Sequence, residues 1–198
     1  AQLYAQAGLP ENLFQHMCID HDQTELVMKH DLVRGVTFTG SASAGGKIAE
    51  IAAGALKKTV LELGSNDAYL ILADADLEKA VPACVQGRLN NVGQTCVAAK
   101  RFIVEDKVYD AFREKFVEAM GQTELAPMAR GDLRETLHDQ VKESTKKGAR
   151  CLLGGELPSG KGFFYPATVL ENVKPGMPAY DGELFGPVAS LIRAKDAE

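Results

Sequence analysis

Cys96 lies in a segment whose residue types suit a reactive thiol better than a packed core. The residues before it, NVGQT at 91–95, are mostly small or polar, and Gly93 leaves room for a close approach by another chain segment or a ligand. A cysteine thiolate is a strong nucleophile, and an exposed backbone N–H at the same residue can stabilise an oxyanion. The alternative is that Cys96, like Cys84 and Cys151, is a small buried hydrophobic residue.

Glu62 is the carboxylate of the strand-like segment TVLELG. In a strand it would lie on the face opposite to Leu61 and Leu63. A carboxylate there would lose hydration and could carry a proton near neutral pH, as a general base does. Glu62 also follows a glycine turn by about 20 residues, the spacing at which a Rossmann-type acidic residue binds a ribose. A solvent-facing carboxylate at a strand end is the third interpretation, and the residues alone leave all three open.

The glycine turn itself, GSASAGGK at residues 40–47, follows a strand pattern and opens a helix pattern. A P-loop would need glycine in place of Ser41 and serine or threonine in place of Ile48, so that interpretation fails. A dinucleotide pyrophosphate could still bind the free N–H groups and the positive end of the helix dipole. The alternative is that Ser41 or Ser43 only caps the helix.

The segment ELFGPV contains Glu183 just before a Gly-Pro turn. By itself it predicts the entrance to a strand and no chemical role.

The elements that carry these residues alternate between strand and helix patterns. LVRGVTFTG and TVLELG predict strands on either side of a helix, SASAGGKIAEIAAGALKK, closed by two lysines, which is typical of a parallel sheet with a crossover helix. Later helices are predicted over LEKAVPACVQGRLNNVG, KVYDAFREKFVEAM and LRETLHDQVKESTKKGA, the last with a glycine cap. Strands are predicted over RFIVE, RCLLGG, FFYPATVL and VASLIRA. Val108, Phe112, Phe116 and Ala119 would share one helical face.

The composition is that of a soluble globular protein. The chain has 198 residues, of which 45% are hydrophobic and 25% charged, enough for a sizeable core in one domain or in parts of two. The net charge of −5 and the lack of a basic cluster argue against nucleic-acid binding. No apolar run approaches the roughly 20 residues of a membrane span, and the N-terminus lacks the layout of a signal peptide, which predicts a cytoplasmic protein without a membrane partner. Both chain ends look like cuts.

The cysteines are widely spaced and share no metal-binding pattern with the scattered histidines. We therefore expect free thiols in a reducing compartment and no metal site. The cysteines are Cys18, Cys84, Cys96 and Cys151.

Four stretches in this order, FTGS with Gly45, LELG, GQTC and ELFGPV, resemble the aldehyde dehydrogenase superfamily. AGLP and FFYPATVL extend the resemblance over most of the chain. The resemblance implies an α/β fold in which a partial Rossmann-type parallel sheet is followed by an α/β catalytic domain. Residues 1–64 would be the C-terminal part of an NAD(P)-binding domain, and residues 65–198 an incomplete catalytic domain. AAKRFIVE, LAPMARGDLRETLHDQV and GARCLLGG are most similar to bacterial succinate-semialdehyde dehydrogenases.

The resemblance also implies a reaction: NAD- or NADP-dependent oxidation of an aldehyde, with succinate semialdehyde favoured, through a thiohemiacetal and a thioester. Cys96 would be the nucleophile, and Glu62 the general base that activates water. The partner would be the aldehyde, and the full-length form would be a homo-oligomer. The implied cofactor-binding residues are Gly40, Ser41, Gly45, Glu183 and Phe185.

The family pattern is not complete in this sequence. The asparagine that stabilises the oxyanion and the lysine that meets the adenine ribose are expected before residue 1, and the loop at residues 120–126 is shorter than usual. We therefore expect the isolated segment to be inactive. Two alternatives stay open: a cysteine-dependent acyl-transfer or esterase enzyme, which the lack of a histidine near Cys96 disfavours, and a non-catalytic module that retains the fold.

Overall fold

The computed structural model describes residues 2–197 and divides into two compact units, Ala1–Leu63 and Gly64–Glu198. This division falls beside the boundary predicted after Gly64. Ala1 and Glu198, the ends of the two predicted domains, lie outside the described residues. Within residues 2–197, no helix combines the length and the apolar character needed to cross a membrane.

The first unit contains a strand–helix–strand motif preceded by two helices. Strands β1 and β2 pair directly and in parallel, and α3 connects them in the sequence, as predicted. Buried residues are few in this unit: among residues 2–63 they are Met28, Gly45 and Ala52. The elements are α1 (Gln2–Gln6), α2 (His21–Lys29), β1 (Gly35–Thr39), α3 (Ala42–Gly54) and β2 (Lys58–Glu62).

Helix α3 ends earlier than the sequence predicts. It stops at Gly54, and Leu56 adopts a left-handed φ of 55°, which ends helical hydrogen bonding. The two lysines therefore do not close the helix. Lys57 donates instead to the carbonyl oxygens of His30 and Val33, at 2.8 and 2.6 Å, and Lys58 begins β2.

The second unit is built on a five-stranded sheet with the order β3-β4-β7-β6-β5. Its strands are parallel except for β5, which is antiparallel to β6. A 3-10 turn, Asn90–Gly93, follows α4. The elements are β3 (Ala68–Ile71), α4 (Leu77–Leu89), β4 (Arg101–Glu105), α5 (Asp106–Gly121), α6 (Gly131–Lys146), β5 (Arg150–Leu153), β6 (Thr168–Glu171), α7 (Pro178–Asp181) and β7 (Val188–Ala194).

The core of this unit lies on both faces of the sheet. Neighbouring residues of one strand, such as Val169 and Leu170, belong to different hydrophobic clusters because successive side chains point to opposite faces. Helices α4 and α5 cover one face, and α6 and α7 cover the other. Such double coverage explains why all four residues of β6 are buried. The predicted α/β class is confirmed.

Helix α5 confirms the predicted apolar face at its centre. Phe112 and Phe116 are fully buried and stack at 5.2 Å between ring centroids. At the two ends of the face the buried residues are Tyr109 and Met120. The predicted Val108 and Ala119 lie beside them and are only partly buried.

The strand predicted over FFYPATVL is wrong in its first half. Phe163 and Phe164 are each 43% exposed and lie outside the sheet, and Pro166 has no N–H for a strand ladder. Pairing begins only at Thr168. Strand β3 and helices α2 and α7 were not predicted. The predicted glycine cap of α6 is confirmed, because Gly148 adopts a left-handed φ of 107° after the helix.

Candidate active site

Cys96 is exposed and free, on a loop that runs from the 3-10 turn to β4. We call residues 93–100 the thiol loop. The interpretation of Cys96 as a buried hydrophobic residue is therefore wrong. It is confirmed for Cys84, which is 4% exposed. It is wrong for Cys151, which lies exposed on β5.

The chain enters the thiol loop through three successive left-handed residues, Asn91, Val92 and Gly93, with φ of 52°, 58° and 71°. For the β-branched Val92 this conformation costs about 1 kcal/mol or more. A Cβ on Gly93 would lie 2.3 Å from the carbonyl oxygen of Gly186. The predicted close approach at Gly93 is confirmed, and the approaching segment is the ELFGPV loop.

Two buried cations bind the thiol loop through its carbonyl oxygens. The Arg88 guanidinium donates to Ala99 and Gly93 at 2.8 and 2.7 Å. The Lys100 ammonium donates to Thr95 at 3.3 Å and also to Cys96. Both cationic residues are 0% exposed.

Arg88 remains a cation at neutral pH despite its burial. Desolvation lowers the pKa of the Arg88 guanidinium to about 10, and the Glu183 carboxylate partly opposes this decrease. Sequence reasoning missed both Arg88 and Lys100. The available signal was a basic residue next to small and apolar residues in a helix and at a strand entrance, VPACVQGRL and VAAKRF.

Glu183 joins the thiol loop to the segment that precedes β3. Its carboxylate lies 3.2 Å from the Lys100 ammonium and accepts the Ser65 N–H at 3.3 Å. The Ser65 hydroxyl donates to the Cys96 carbonyl and accepts from Lys100 at 3.1 Å. A Cβ on Gly64 would lie 2.1 Å from the same carboxylate, so a side chain at that position would displace Glu183 from its present place.

The orientation of these groups follows from strand order. Ser65, Cys96 and Glu183 each lie a few residues before a strand, and those strands, β3, β4 and β7, are parallel neighbours. Their amino ends therefore lie at one edge of the sheet, which brings the three loops together. Phe185, on the same loop as Glu183, is partly exposed.

The peptide between Thr95 and Cys96 has its polar groups on opposite sides. In a trans peptide the N–H points away from the C=O. Because the Thr95 carbonyl faces the buried Lys100, the Cys96 N–H faces away from it. Within residues 2–197 this N–H has no protein acceptor, so it is available to bind an oxyanion.

A surface cavity of about 450 Å³ in the same unit is lined by Thr95 and Val97, the sequence neighbours of Cys96, and not by Cys96 itself. Its walls come from α4, from Tyr69 of β3 and from the residues on either side of the thiol. Hydrogen-bond donors in the lining are two hydroxyls and two amides. The lining residues are Tyr69, Ala83, Gln86, Gly87, Asn90, Thr95, Val97 and Ala98.

In the first unit, the glycine turn follows the carboxyl end of β1. The Ser41 hydroxyl accepts the Ala44 N–H at 3.3 Å, so Ser41 rather than Ser43 caps α3. Gly45 is buried, and a Cβ there would lie 2.4 Å from Leu63. Gly45 therefore allows α3 to pack closely on the segment that follows β2, which is one of the roles of glycine in a dinucleotide-binding turn.

The cap leaves this helix end suited to an anion. All five residues after Ser41 up to Gly46 have small side chains, ASAGG. Within residues 2–197 the N–H groups of Ala42 and Ser43 have no protein acceptor. Free N–H groups, the positive end of the helix dipole and open space for approach fit a pyrophosphate group.

Glu62 is the last residue of β2 and is exposed. Its carbonyl oxygen accepts the Gly40 N–H at 3.0 Å, which ties the strand end to the glycine turn. Leu61 and Leu63 are partly buried, so the predicted alternation of faces is confirmed. The predicted loss of hydration at Glu62 is wrong for this structure, because few residues of the first unit are buried.

A sequence profile of the aldehyde dehydrogenase family matches residues 1–198. The chain belongs to the aldehyde dehydrogenase family. It is 49% identical over its whole length to the succinate semialdehyde dehydrogenase [NAD(P)+] Sad of Escherichia coli, covering 45% of that protein. It is 39% identical to succinate-semialdehyde dehydrogenase [NADP(+)] 1 of Mycobacterium ulcerans, again covering 45%. The chain thus spans about half the length of these relatives.

Solved structures in the family have the same fold. The succinic semialdehyde dehydrogenase of Streptococcus pyogenes, in complex with NADP+, superposes with a TM-score of 0.92 at 35% identity, over 98% of this chain and 45% of that one. The Burkholderia pseudomallei succinate-semialdehyde dehydrogenase gives a TM-score of 0.92 at 31% identity, over 98% and 42%. The predicted family and its fold are therefore confirmed.

Proposed function

We propose that the full-length protein is an NAD(P)-dependent aldehyde dehydrogenase in which Cys96 is the nucleophile. The observation that carries this proposal is the exposed Cys96 thiol on a loop whose carbonyl oxygens are bound by two buried cations. Such a loop holds the thiol in one place while leaving it accessible, as covalent catalysis requires. Membership of the family and the names of the relatives support the reaction type.

In the proposed reaction the Cys96 thiolate adds to the aldehyde carbonyl carbon and forms a thiohemiacetal. The Cys96 N–H, which faces away from Lys100, donates to the resulting oxyanion. The nicotinamide cofactor, when bound, accepts the hydride. Glu62 then removes a proton from water, which hydrolyses the thioester and releases the carboxylic acid and the free thiol.

Two groups of residues would hold the cofactor. Gly40 and Ser41 would contact the pyrophosphate at the turn, beside the free N–H groups of Ala42 and Ser43, and Gly45 would allow the close helix packing behind them. Glu183 would accept a hydrogen bond from a hydroxyl group of the nicotinamide ribose, with Phe185 beside it. The Glu183 side chain is 23% exposed, so it can reach a ligand while paired with Lys100.

Succinate semialdehyde is the favoured substrate. A distal carboxylate needs hydroxyl, amide or cationic donors, and the cavity lined by Thr95 and Val97 offers the Tyr69 and Thr95 hydroxyls and the Gln86 and Asn90 amides. The relatives named above act on this substrate according to their names. A cytoplasmic location, a homo-oligomeric full-length form and the lack of nucleic-acid or membrane partners stay predictions from the sequence.

The substrate proposal is tested by comparing succinate semialdehyde with butanal, which has the same carbon chain without the carboxylate. We expect kcat/KM to favour the semialdehyde by at least about tenfold, the value of one charge-assisted hydrogen bond. Thr95→Val, which keeps the side-chain shape, should reduce this preference and leave butanal oxidation unchanged. Equal kcat/KM for both aldehydes would contradict the carboxylate site but not the dehydrogenase reaction.

A cysteine-dependent acyl-transfer or esterase reaction is the alternative. It would need a base to activate the thiol. Residues 64–197 contain one histidine, His138. It is buried and forms a hydrogen bond with the Tyr165 hydroxyl at 3.2 Å. This arrangement disfavours the alternative. Ester hydrolysis by the full-length protein without any aldehyde oxidation would support it.

A further inference from the structure

Lys100 is a fully buried ammonium that contacts three separate loops. Its side chain is 0% exposed. Its acceptors are the Thr95 and Cys96 carbonyls, the Ser65 hydroxyl at 3.1 Å and the Glu183 carboxylate at 3.2 Å. It therefore connects the nucleophile's own peptide to the carboxylate of the ELFGPV loop.

Glu183 is the only one of these acceptors that carries charge. A buried cation without a counterion is strongly unfavourable, so Lys100 and Glu183 constrain one another. Arg88, on α4, offers a contrast, because its two acceptors in the thiol loop, Ala99 and Gly93, are neutral carbonyls. Loss of Lys100 would thus affect Glu183 directly, whereas a change at Arg88 that keeps its charge would not.

The contact with Thr95 has a second consequence. Together with the Ala98 N–H, which donates to the same carbonyl at 3.2 Å, it sets the plane of the peptide between Thr95 and Cys96, and hence the direction of the Cys96 N–H. Without Lys100 the Thr95 carbonyl would keep the Ala98 N–H and the Cys96 carbonyl the Ser65 hydroxyl, so the peptide would be held by fewer donors and oriented less firmly. An oxyanion donor must be oriented before the reaction to be effective.

We propose that Lys100 is a positioning residue that orients the Cys96 N–H and the Glu183 carboxylate together, so that the nucleophile and the cofactor are aligned by one buried cation. This proposal rests on the proposed dehydrogenase function. Lys100 touches neither the reacting thiol nor the aldehyde, and it acts through the peptide and the carboxylate that it binds.

Two variants of the full-length protein separate the two effects. Lys100→Met removes both the charge and the donor, whereas Lys100→Gln keeps an amide donor for the loop carbonyls but loses the charge. We expect both variants to raise the Kd for NAD(P) by about tenfold, because each leaves Glu183 without its cation. The single-turnover rate of aldehyde oxidation should fall about tenfold in Lys100→Met, less than the roughly 10²-fold cost of a lost oxyanion donor because the Cys96 N–H is only less firmly oriented, and it should fall less in Lys100→Gln.

A double-mutant cycle with Glu183→Gln tests the connection to the carboxylate. Once Glu183→Gln has removed the charge, Lys100→Gln should weaken cofactor binding little further, so the two changes should not be additive. Arg88→Lys is the matched control, because it changes a buried cation that binds the same loop and keeps the charge. Its effect should add to that of Glu183→Gln.

Calorimetric cofactor titration and iodoacetamide labelling of Cys96 provide readouts that do not need turnover. If Lys100→Met does not fold, the cofactor affinity of Lys100→Gln and its double-mutant cycle with Glu183→Gln still test the proposal. Wild-type cofactor affinity in folded Lys100→Gln, or additivity in its double-mutant cycle with Glu183→Gln, would overturn the proposal.

Failure of the proposed function gives a different result. If the wild-type protein binds NAD(P) but oxidises no aldehyde, the proposed function fails, whereas a non-additive cycle would still support the role of Lys100. If it binds no cofactor, an unchanged Cys96 labelling rate in Lys100→Met would overturn the role, and a changed rate confined to that variant would support it.

Discussion

The two units of this chain present their candidate residues at opposite ends of parallel strands. In the first unit, Ser41 follows the carboxyl end of β1 and Glu62 is the last residue of β2. In the second unit, Ser65, Cys96 and Glu183 precede the amino ends of β3, β4 and β7. The first arrangement suits a phosphate bound by backbone N–H groups at a helix start. The second brings side chains from three loops to the backbone of the thiol residue.

The two sites also differ in what supports them. The glycine turn is held by contacts between near neighbours in the chain, such as Ser41 with Ala44, in a unit with few buried residues. The thiol site depends on buried cations and on a hydrogen bond between Ser65 and Glu183, which lie 118 positions apart. A backbone anion site can therefore form from local sequence, whereas the thiol site needs the complete core of its unit.

The largest expected effect is at the nucleophile. Cys96→Ala in the full-length protein should reduce aldehyde oxidation on the order of 10⁴-fold or more, because the covalent bond cannot form. Cofactor binding should remain, since the glycine turn lies in the other unit. Cys151→Ala, at another exposed thiol, is the control and should retain wild-type turnover, measured by NAD(P)H absorbance. Sustained turnover by Cys96→Ala would break the assignment of chemistry to the second unit.

The two units differ in how many residues they bury, and the free energies of unfolding of variants in each unit test this difference. Phe112→Ala removes a fully buried ring and should lower the free energy of unfolding by about 3–5 kcal/mol. Val60→Ala, on a β2 side chain that is 55% exposed, should change it by less than about 0.5 kcal/mol. Urea unfolding of the full-length variants measures both values. Similar losses at the two positions would show that the first unit is as well supported as the second.

Glu62→Gln tests the contribution of the first unit to the reaction. As a general base for thioester hydrolysis, its loss should permit one equivalent of NAD(P)H to form and then slow the steady state by about 10²-fold. Glu50→Gln, an exposed carboxylate of α3, is the matched control and should show no stall. A weaker cofactor affinity without a burst would favour the ribose-binding interpretation of Glu62.

The smallest expected effect is a difference in thiol reactivity within the second unit. Partial burial raises the pKa of the Cys151 thiol, and burial raises the pKa of Cys84 to about 11. A raised pKa reduces the thiolate fraction at neutral pH, so iodoacetamide should label Cys96 ahead of both. Labelling of Cys84 should increase as the pH rises towards its pKa. Mass spectrometry of the labelled peptides measures the order, and faster labelling of Cys151 at pH 7 would contradict it.

Prediction from the sequence succeeded where a pattern is local. The strand–helix–strand unit, the centre of the α5 face and the exposed position of Cys96 all follow from residue types within a few positions of one another. It failed at β3, whose Tyr69 and Leu70 are exposed and show no alternation. A short edge strand of this kind is formed by pairing with β4, and nothing in its own residues identifies it.

The sequence alone thus determined the α/β class, the family resemblance and the identity of the thiol, because glycine turns, helix caps and hydrophobic periodicity act over short distances. Only the tertiary structure placed Glu183 beside the thiol loop and buried Lys100 and Arg88 behind it. The physical reason is that charged side chains are rarely buried without a partner, so sequence reasoning assigns them to the surface when the counterion is not known. The counterion of Lys100 comes from a loop that only the parallel order of β4 and β7 brings within reach.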